Sequence, residues 1–261
     1  MKEEKVWFEN SKGQKLCGLL ALQDHKAPSI LFVHGMMPRT DKHEYGLFDE
    51  LSQFLFNKGF SIFRFDFHAH GESEGEYKNV RVKQEVDDLK KAIDFFMGQA
   101  IDNNNIGILS TSFGVASTTL LNDARIKTIQ LVCPAVHLNK VNMPVFDKHV
   151  GKNWKEQFQE KGFVKVLDEG LEERKQYIGV DFWNDIQKLD FTEVIKKVSK
   201  PLSIIAGDSD DYIKLEDTKE LYNSANEPKE LHVIKGGDHG CDNKKEELFK
   251  LILQWFNKWL K

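Results

Sequence analysis

Cysteine is scarce in this chain, with three among 261 residues. Cys17, Cys133 and Cys241 are odd in number and far apart, which excludes a disulfide-framed scaffold and predicts reduced thiols. Basic excess is absent too. Lys and Arg total 37 against 41 Asp and Glu, for a net charge of −4. Phosphate recognition needs a basic face, so a nucleic-acid partner is not expected. No apolar stretch reaches bilayer-spanning length, and the opening "MKEEKVWFEN" lacks the apolar core of a signal peptide. A cytoplasmic protein with no membrane span is the expectation. Internal repeats and low-complexity tracts are missing as well. Composition leaves a homodimer open.

What is present is ample core material: 40% of residues are apolar and Phe alone contributes 19. One compact body is expected at this length. Runs rich in β-branched and aromatic residues predict eight strands, at Val6–Glu9, Leu16–Leu22, Ser29–Val33, Phe60–Phe67, Ile106–Ser110, Ile126–Cys133, Leu202–Ala206 and Leu231–Ile234. Between them, Val82, Val86, Leu89, Ile93, Phe96 and Ala100 recur at helical spacing. Leu47, Leu51, Phe54 and Leu55 do the same, with Gly59 placed to end that helix. A last helix is predicted from Asn243 as cap and Glu246 as its reciprocal partner, ahead of Leu248, Leu251, Ile252, Trp255 and Trp259. Two leading strands followed by strand and helix alternation predict an α/β fold. Its sheet is mostly parallel, with helices on both faces and chemistry at the C-terminal strand ends. The stretch from Pro134 to Lys200 is far longer than one crossover helix requires. It divides the chain into a core of residues 1–134 and 201–261 and a cap inserted at 135–200, between strands six and seven. Asp190 with Glu193 reads as a capping box late in that insertion.

The stretch "ILSTSFGVAS", residues 108–117, runs from a strand into a helix. A nucleophilic serine must be raised above the sheet on a tight turn, which requires small residues two positions before and two after it. Ser112 meets this through Ser110 and Gly114; Ser110 has Ile108 before it, and Ser117 falls inside the helix. On its own the pattern SxSxG reads equally well as a structural turn. A serine also needs a histidine base, oriented by a carboxylate, in the chain order Ser, acid, His. "IIAGDSDDYI" ends one later strand with a carboxylate cluster, and "LHVIKGGDHG" ends the next with His239.

With these pieces in place the chain resembles an α/β-hydrolase, most similar to bacterial feruloyl and cinnamoyl esterase-like carboxylesterases. The resemblance covers nearly the whole length. It rests on "LFVHG" at 31–35, "FDFHAHGESEG" at 65–75, the elbow around Ser112, "GDSDDYI" at 207–213 and "GGDHG" at 236–240. It implies Asp210 as the acid, three residues after Gly207 and three before Ile213, with Asp208 and Asp211 as neighbours. It further implies an oxyanion hole made by the backbone N–H groups of Met36 and Phe113, and a structural role for His34 beside it. Departures are Ser110 in place of the first elbow glycine, Val115 where many members carry a small residue, and His68-Ala69 where an Arg-Gly pair is usual.

The expected activity is cleavage of a small-molecule carboxylic ester through an acyl-enzyme, by Ser112, His239 and Asp210, with no metal or organic cofactor. An acyl thioesterase, an acyltransferase, a peptidase and a non-catalytic ligand-binding protein remain as alternatives. Dehalogenase chemistry is disfavoured, since it employs a carboxylate at the elbow. His68 and His70, two apart near Asp66, read as solvated loop histidines with no well-spaced third metal ligand. Cys241 reads as packing near the last helix. His34, Trp154, Phe182 and Trp183 are carried as candidate substrate-pocket residues, against the alternative that aromatics of the insertion build its own small core.

Overall fold

The computed structural model describes residues 1–36, 46–137, 144–167 and 171–261. Parts of the predicted cap, 138–143 and 168–170, lie outside the described residues. The chain opens with strands β1 (Glu4–Glu9), β2 (Lys15–Ala21) and β3 (Ser29–Val33). Helix α1 (Gly46–Asn57) leads to β4 (Ser61–Phe65), α2 (Val82–Met97) to β5 (Ile106–Thr111), and α3 (Val115–Leu121) to β6 (Thr128–Val132). Then come α4 (Pro144–Val150), α5 (Trp154–Lys161), β7 (Phe163–Lys165), β8 (Tyr177–Gly179), α6 (Val180–Ile186) and α7 (Phe191–Ile195). The chain closes with β9 (Leu202–Gly207), α8 (Leu215–Ser224), β10 (Lys229–Ile234) and α9 (Lys245–Leu260).

Eight strands form one sheet in the order β1-β2-β4-β3-β5-β6-β9-β10. β1 and β2 run antiparallel to their neighbours, and the remaining pairs are parallel. Beyond that sheet, β7 and β8 form a short antiparallel pair inside the insertion, which the sequence did not predict.

Central strands β3, β4 and β6 are buried at every position because helices cover both faces, which is why they read as unbroken apolar runs. Alternate side chains then serve different layers. Ile30 and Phe32 pack with Leu51 and Leu55 of α1 and Ile252 and Phe256 of α9. Leu31 and Val33 belong to the opposite layer, with Leu89, Ile93 and Phe96 of α2. Each such fully buried side chain contributes roughly 1.5–3 kcal/mol. Register aligns the C-terminal tips: Val33 pairs with Ser110, Thr111 with Val132, and Gly207 with Ile234. The loops that leave β3, β5, β6, β9 and β10 therefore converge at one end.

Two helix-start predictions meet different outcomes. Asp190 accepts from the N–H groups of Thr192 and Glu193 as an N-cap, but Glu193 turns to Lys196 instead of back to the cap. Asn243 does not cap α9, whose flanking residue is Lys244; its side chain accepts from the Asp238 N–H and donates to Gly236 O, bracing the His239 loop. Helix α2 stops at Met97, before Ala100, where Gly98 folds its N–H back onto the carbonyls of Asp94 and Phe95. Among the described residues no helix is long and apolar enough to cross a membrane.

Candidate active site

β5 ends at Thr111, and residues 112–114 make a tight turn into α3. Ser112 sits at a φ of +48°, a left-handed conformation that a non-glycine residue adopts only when its surroundings hold it there. Its carbonyl accepts the Ala135 N–H at 3.0 Å, which ties the elbow to the chain leaving β6. Gly114 lets the turn close: a Cβ there would lie 2.6 Å from His34 O and 2.8 Å from Ser110 Oγ. Ser110 is buried, and its Oγ has no hydrogen-bond partner among the described residues. It fills space beside Gly114 at the cost of an unmet hydroxyl, roughly 1–3 kcal/mol. Ser117 lies buried in α3 and donates to Gly114 O at 3.2 Å.

His239 occupies the loop after β10. Its Nε2 is 3.0 Å from Ser112 Oγ and its Nδ1 is 2.8 Å from Asp210 Oδ2. The other Asp210 oxygen accepts the N–H groups of Tyr212 and Ile213 at 2.8 and 2.9 Å. Burial pushes the Asp210 carboxyl up, but the His239 hydrogen bond and charge, together with those two amides, hold it below the ordinary carboxylate range. A permanent carboxylate there keeps the proton on Nδ1 and leaves the Nε2 lone pair facing Ser112. Of the neighbouring acids, Asp208 accepts the Gly236 N–H at 2.5 Å and Asp211 is exposed. The Tyr212 ring stands edge-on to the imidazole, 5.0 Å between centroids, and limits its swing.

The loop after β3 lies against the elbow: a Cβ on Gly35 would be 3.1 Å from Ser112 Cβ and 3.7 Å from Phe113 N. His34 Nε2 accepts the Phe67 N–H at 3.1 Å, so Nδ1 carries the proton and donates to Gly35 O at 2.7 Å. That carbonyl shares a trans peptide with the Met36 N–H, so holding the one aims the other to the opposite side. On its far side, Met36 O accepts from Tyr77 Oη and lies 3.1 Å from His70 Nε2, whose other ring nitrogen lies 3.0 Å from His68 O. Both peptide groups around Met36 are thereby fixed. Neither Tyr77 nor His70 carries a local sequence signal for this role beyond an isolated tyrosine in a polar loop.

His68 and His70 are 3% and 0% exposed, which corrects their reading as solvated. His68 Nδ1 and its backbone N–H both donate to Asp88 Oδ2, while Asn10 and Gln84 donate to Asp88 Oδ1. This buried carboxylate orders the loop from within. From outside, the Arg174 guanidinium donates to the carbonyls of Gly71, Ser73 and Gly75.

A small pocket that opens to solvent adjoins Ser112 and His239. Its apolar walls include Leu51, Leu109, Val132, Leu248 and Ile252. None of the four candidate pocket residues lines it. His34 borders a separate cavity with Cys17 and Arg64. Trp154 and Trp183 meet edge to face at 4.5 Å, and the Trp154 indole N–H donates to Asp147, so they form an aromatic core of the insertion. Phe182 packs its ring on Phe113, 5.3 Å between centroids, behind the elbow. Two groups among the described residues have metal-type donors within reach of one another. One is Cys133, Asp210 and His239; the other is His137, Asp217 and Glu220. In the first, His239 Nδ1 is already committed to Asp210.

The family described as "Serine aminopeptidase, S33" matches residues 24–177, more than half of the chain. The uncharacterized protein YqkD of Bacillus subtilis (strain 168) is 22% identical over 201 residues, 76% of this chain; the chain spans only 62% of the length of that relative. The structure of DcsB with its substrate analogue superposes with a TM-score of 0.81 at 16% identity, covering 99% of both chains. Est1E from Butyrivibrio proteoclasticus, solved with ferulic acid bound, gives 0.79 at 16% identity, over 97% of this chain and 98% of that one. Likeness at these identities shows the fold, which is that of the α/β-hydrolases. The chain belongs to the serine aminopeptidase S33 family of α/β-hydrolases.

Proposed function

We propose that this hydrolase cleaves a carboxylic ester of a small molecule through an acyl-enzyme. The observation that carries the reading is His239, with one ring nitrogen on Asp210 and the other on Ser112 Oγ. Ser112 Oγ attacks the ester carbonyl while His239 Nε2 takes its proton, and Asp210 steadies the imidazolium. The oxyanion sits between the N–H groups of Phe113 and Met36, each such donor supplying roughly 3–4 kcal/mol to the transition state. Collapse expels the alcohol, which leaves with the proton from Nε2. Water then repeats the sequence on the acyl group and releases the acid. These steps call on no metal or organic cofactor.

The apolar walls beside Ser112 favour an acyl group over a charged one. Residues 135–200 are read as the cap, with Phe182 packed behind Phe113, Arg174 gripping the β4 loop and Asp185 paired with Arg81 among its contacts to the core. A cytoplasmic setting suits the three free thiols. A peptidase is the second reading, favoured by the family description. A panel of p-nitrophenyl esters of increasing chain length, hydroxycinnamate esters, acyl thioesters and aminoacyl anilides separates these readings. Ester turnover in the panel that disappears in Ser112→Ala supports the proposal; turnover confined to the anilides replaces the ester with the peptide reading. Undiminished ester turnover in Ser112→Ala overturns it.

A further inference from the structure

Two thiols lie in contact behind the Ser112 site, and the chemistry above uses neither. Cys133 follows β6 and Cys241 follows His239 by two residues, and their Sγ atoms are 3.8 Å apart. Both are free. Both sit in turns with left-handed backbone, φ +45° for Cys133 and +60° for Cys241. Their contact thus joins two strand-tip loops, one of which carries the histidine. Cys133 Sγ is also 3.9 Å from Asp238 O, on the residue before His239. Although buried, Cys133 borders the cavity that reaches Ser112, which offers a small reagent a path to one sulfur of the pair.

The two thiols are unequal. The hydrogen bond from Cys241 and, against the effect of burial, the nearby His239 draw the Cys133 thiol below its ordinary value. The same contact and burial push Cys241 up. A sulfur bordering a cavity, with a second sulfur in contact behind it, is the arrangement in which a first oxidation is resolved into a disulfide.

We infer that Cys133 and Cys241 form a hydroperoxide-reactive dithiol site whose disulfide draws His239 away from Ser112. In the first step the Cys133 thiolate attacks one peroxide oxygen and the O–O bond breaks. The second oxygen leaves with a proton as water, or as an alcohol from an organic peroxide, and Cys133 becomes a sulfenic acid. Cys241 sulfur then attacks Cys133 sulfur, the S–O bond breaks, and that oxygen departs as water with the Cys241 proton. Two thiols give up two electrons and the peroxide takes them.

A disulfide holds its sulfurs about 2.05 Å apart. From 3.8 Å the two close the difference by side-chain rotation together with movement of the loops that carry them. Asp238 O accepts the Cys241 N–H at 3.0 Å, so Asp238 to Cys241 is a single turn with His239 inside it. Moving Cys241 carries His239 along. A displacement of about 1 Å at a catalytic group costs roughly a hundredfold in rate.

The activity readout of this inference rests on the hydrolase proposal above; the cross-link itself does not. The full-length protein is treated with hydrogen peroxide, alkylated, and analysed by intact mass and peptide mapping. The expected result is loss of two hydrogens per chain and a peptide joining Cys133 to Cys241. Ester turnover then falls by roughly tenfold or more and returns with dithiothreitol. The His239 imidazole NMR signal shifts on oxidation, which reads the displacement without turnover. Cys241→Ser abolishes the cross-link and the dithiothreitol-reversible loss; Cys17→Ser keeps both. No cross-link, or one that includes Cys17, overturns the site. A cross-link that leaves the His239 signal and turnover unchanged overturns its coupling to the histidine. If the reduced protein turns over no ester, the function proposal fails, while the mass and NMR readouts still decide the site.

Discussion

His239 and the trio His34, His68 and His70 stand at the same end of the sheet, in loops that follow β10 in one case and β3 and β4 in the other. His239 holds a carboxylate on one nitrogen and a hydroxyl on the other, with its side chain 20% exposed. The trio is buried. His34 holds a backbone carbonyl and a backbone N–H, and burial, only partly offset by its bond to Gly35, lowers its pKa to about 4. His70 lies between the carbonyls of His68 and Met36, and burial, then the neighbouring His34, hold it well below the ordinary range. The difference teaches that partners and burial, not the motif, decide whether a histidine moves protons or fixes backbone. His239 can accept a proton because Asp210 stabilises the cation that results. His34 and His70 have no carboxylate in that place, so they stay neutral and act as rigid donors to the loop that carries Met36.

The comparison breaks most sharply at Asp210. Asp210→Asn removes the charge and the tautomer control while keeping the shape, and kcat for ester turnover is expected to fall about 10⁴-fold. A loss under tenfold would put His239 in the same class as His34 and His70.

Acid tests the other side. His34 is held below its unfolded value of 6.5, so its contribution to stability is complete above pH 6.5 and is lost as pH falls toward about 4. The unfolded chain binds the proton that the folded one refuses, and the full loss is about 3 kcal/mol. His70 acts in the same direction. Urea unfolding across that range reads the decline, and a flat midpoint would contradict it. A smaller effect is expected for Tyr77→Phe, which removes the hydroxyl donor to Met36 O. Turnover should drop roughly tenfold with KM nearly unchanged if the Met36 N–H is the oxyanion donor proposed above, since that peptide is disturbed and the pocket beside Ser112 is not. A rise in KM at constant kcat would assign Tyr77 to binding instead. The smallest effect belongs to Ala69, a non-glycine residue that stands at φ +63°. Ala69→Gly relieves roughly 1–2 kcal/mol of left-handed strain. It gives up a buried methyl and adds freedom to the unfolded chain, so thermal unfolding should show a net change within about 0.5 kcal/mol.

The sheet was legible because strands buried on both faces must be apolar throughout, as "ILFV" is. Ser112 was legible through Ser110 and Gly114, since the turn admits only small neighbours. Asp210 was not readable from charge, because Asp208 and Asp211 carry the same group; the turn alone decides which one meets His239, and only family spacing pointed to it. Burial of His68 and His70 was hidden in a polar loop, since their partners come from α2 and from the β3 loop. The Tyr77 contact to Met36 joins residues 41 apart, and the Cys133 contact to Cys241 joins residues 108 apart. Neither leaves a local pattern. Trp154, Phe182 and Trp183 were ambiguous for a different reason: aromatic composition is the same whether rings line a cavity or pack on one another.

If the proposed reaction holds, the hydroxyl facing His239 is the nucleophile. Reaction with a fluorophosphonate probe, followed by peptide mapping, tests it without any assumption about substrate. One label per chain is expected, on Ser112, lost in Ser112→Ala and sharply slowed in His239→Ala. A label on another residue, or none on protein that still turns over ester, would contradict it.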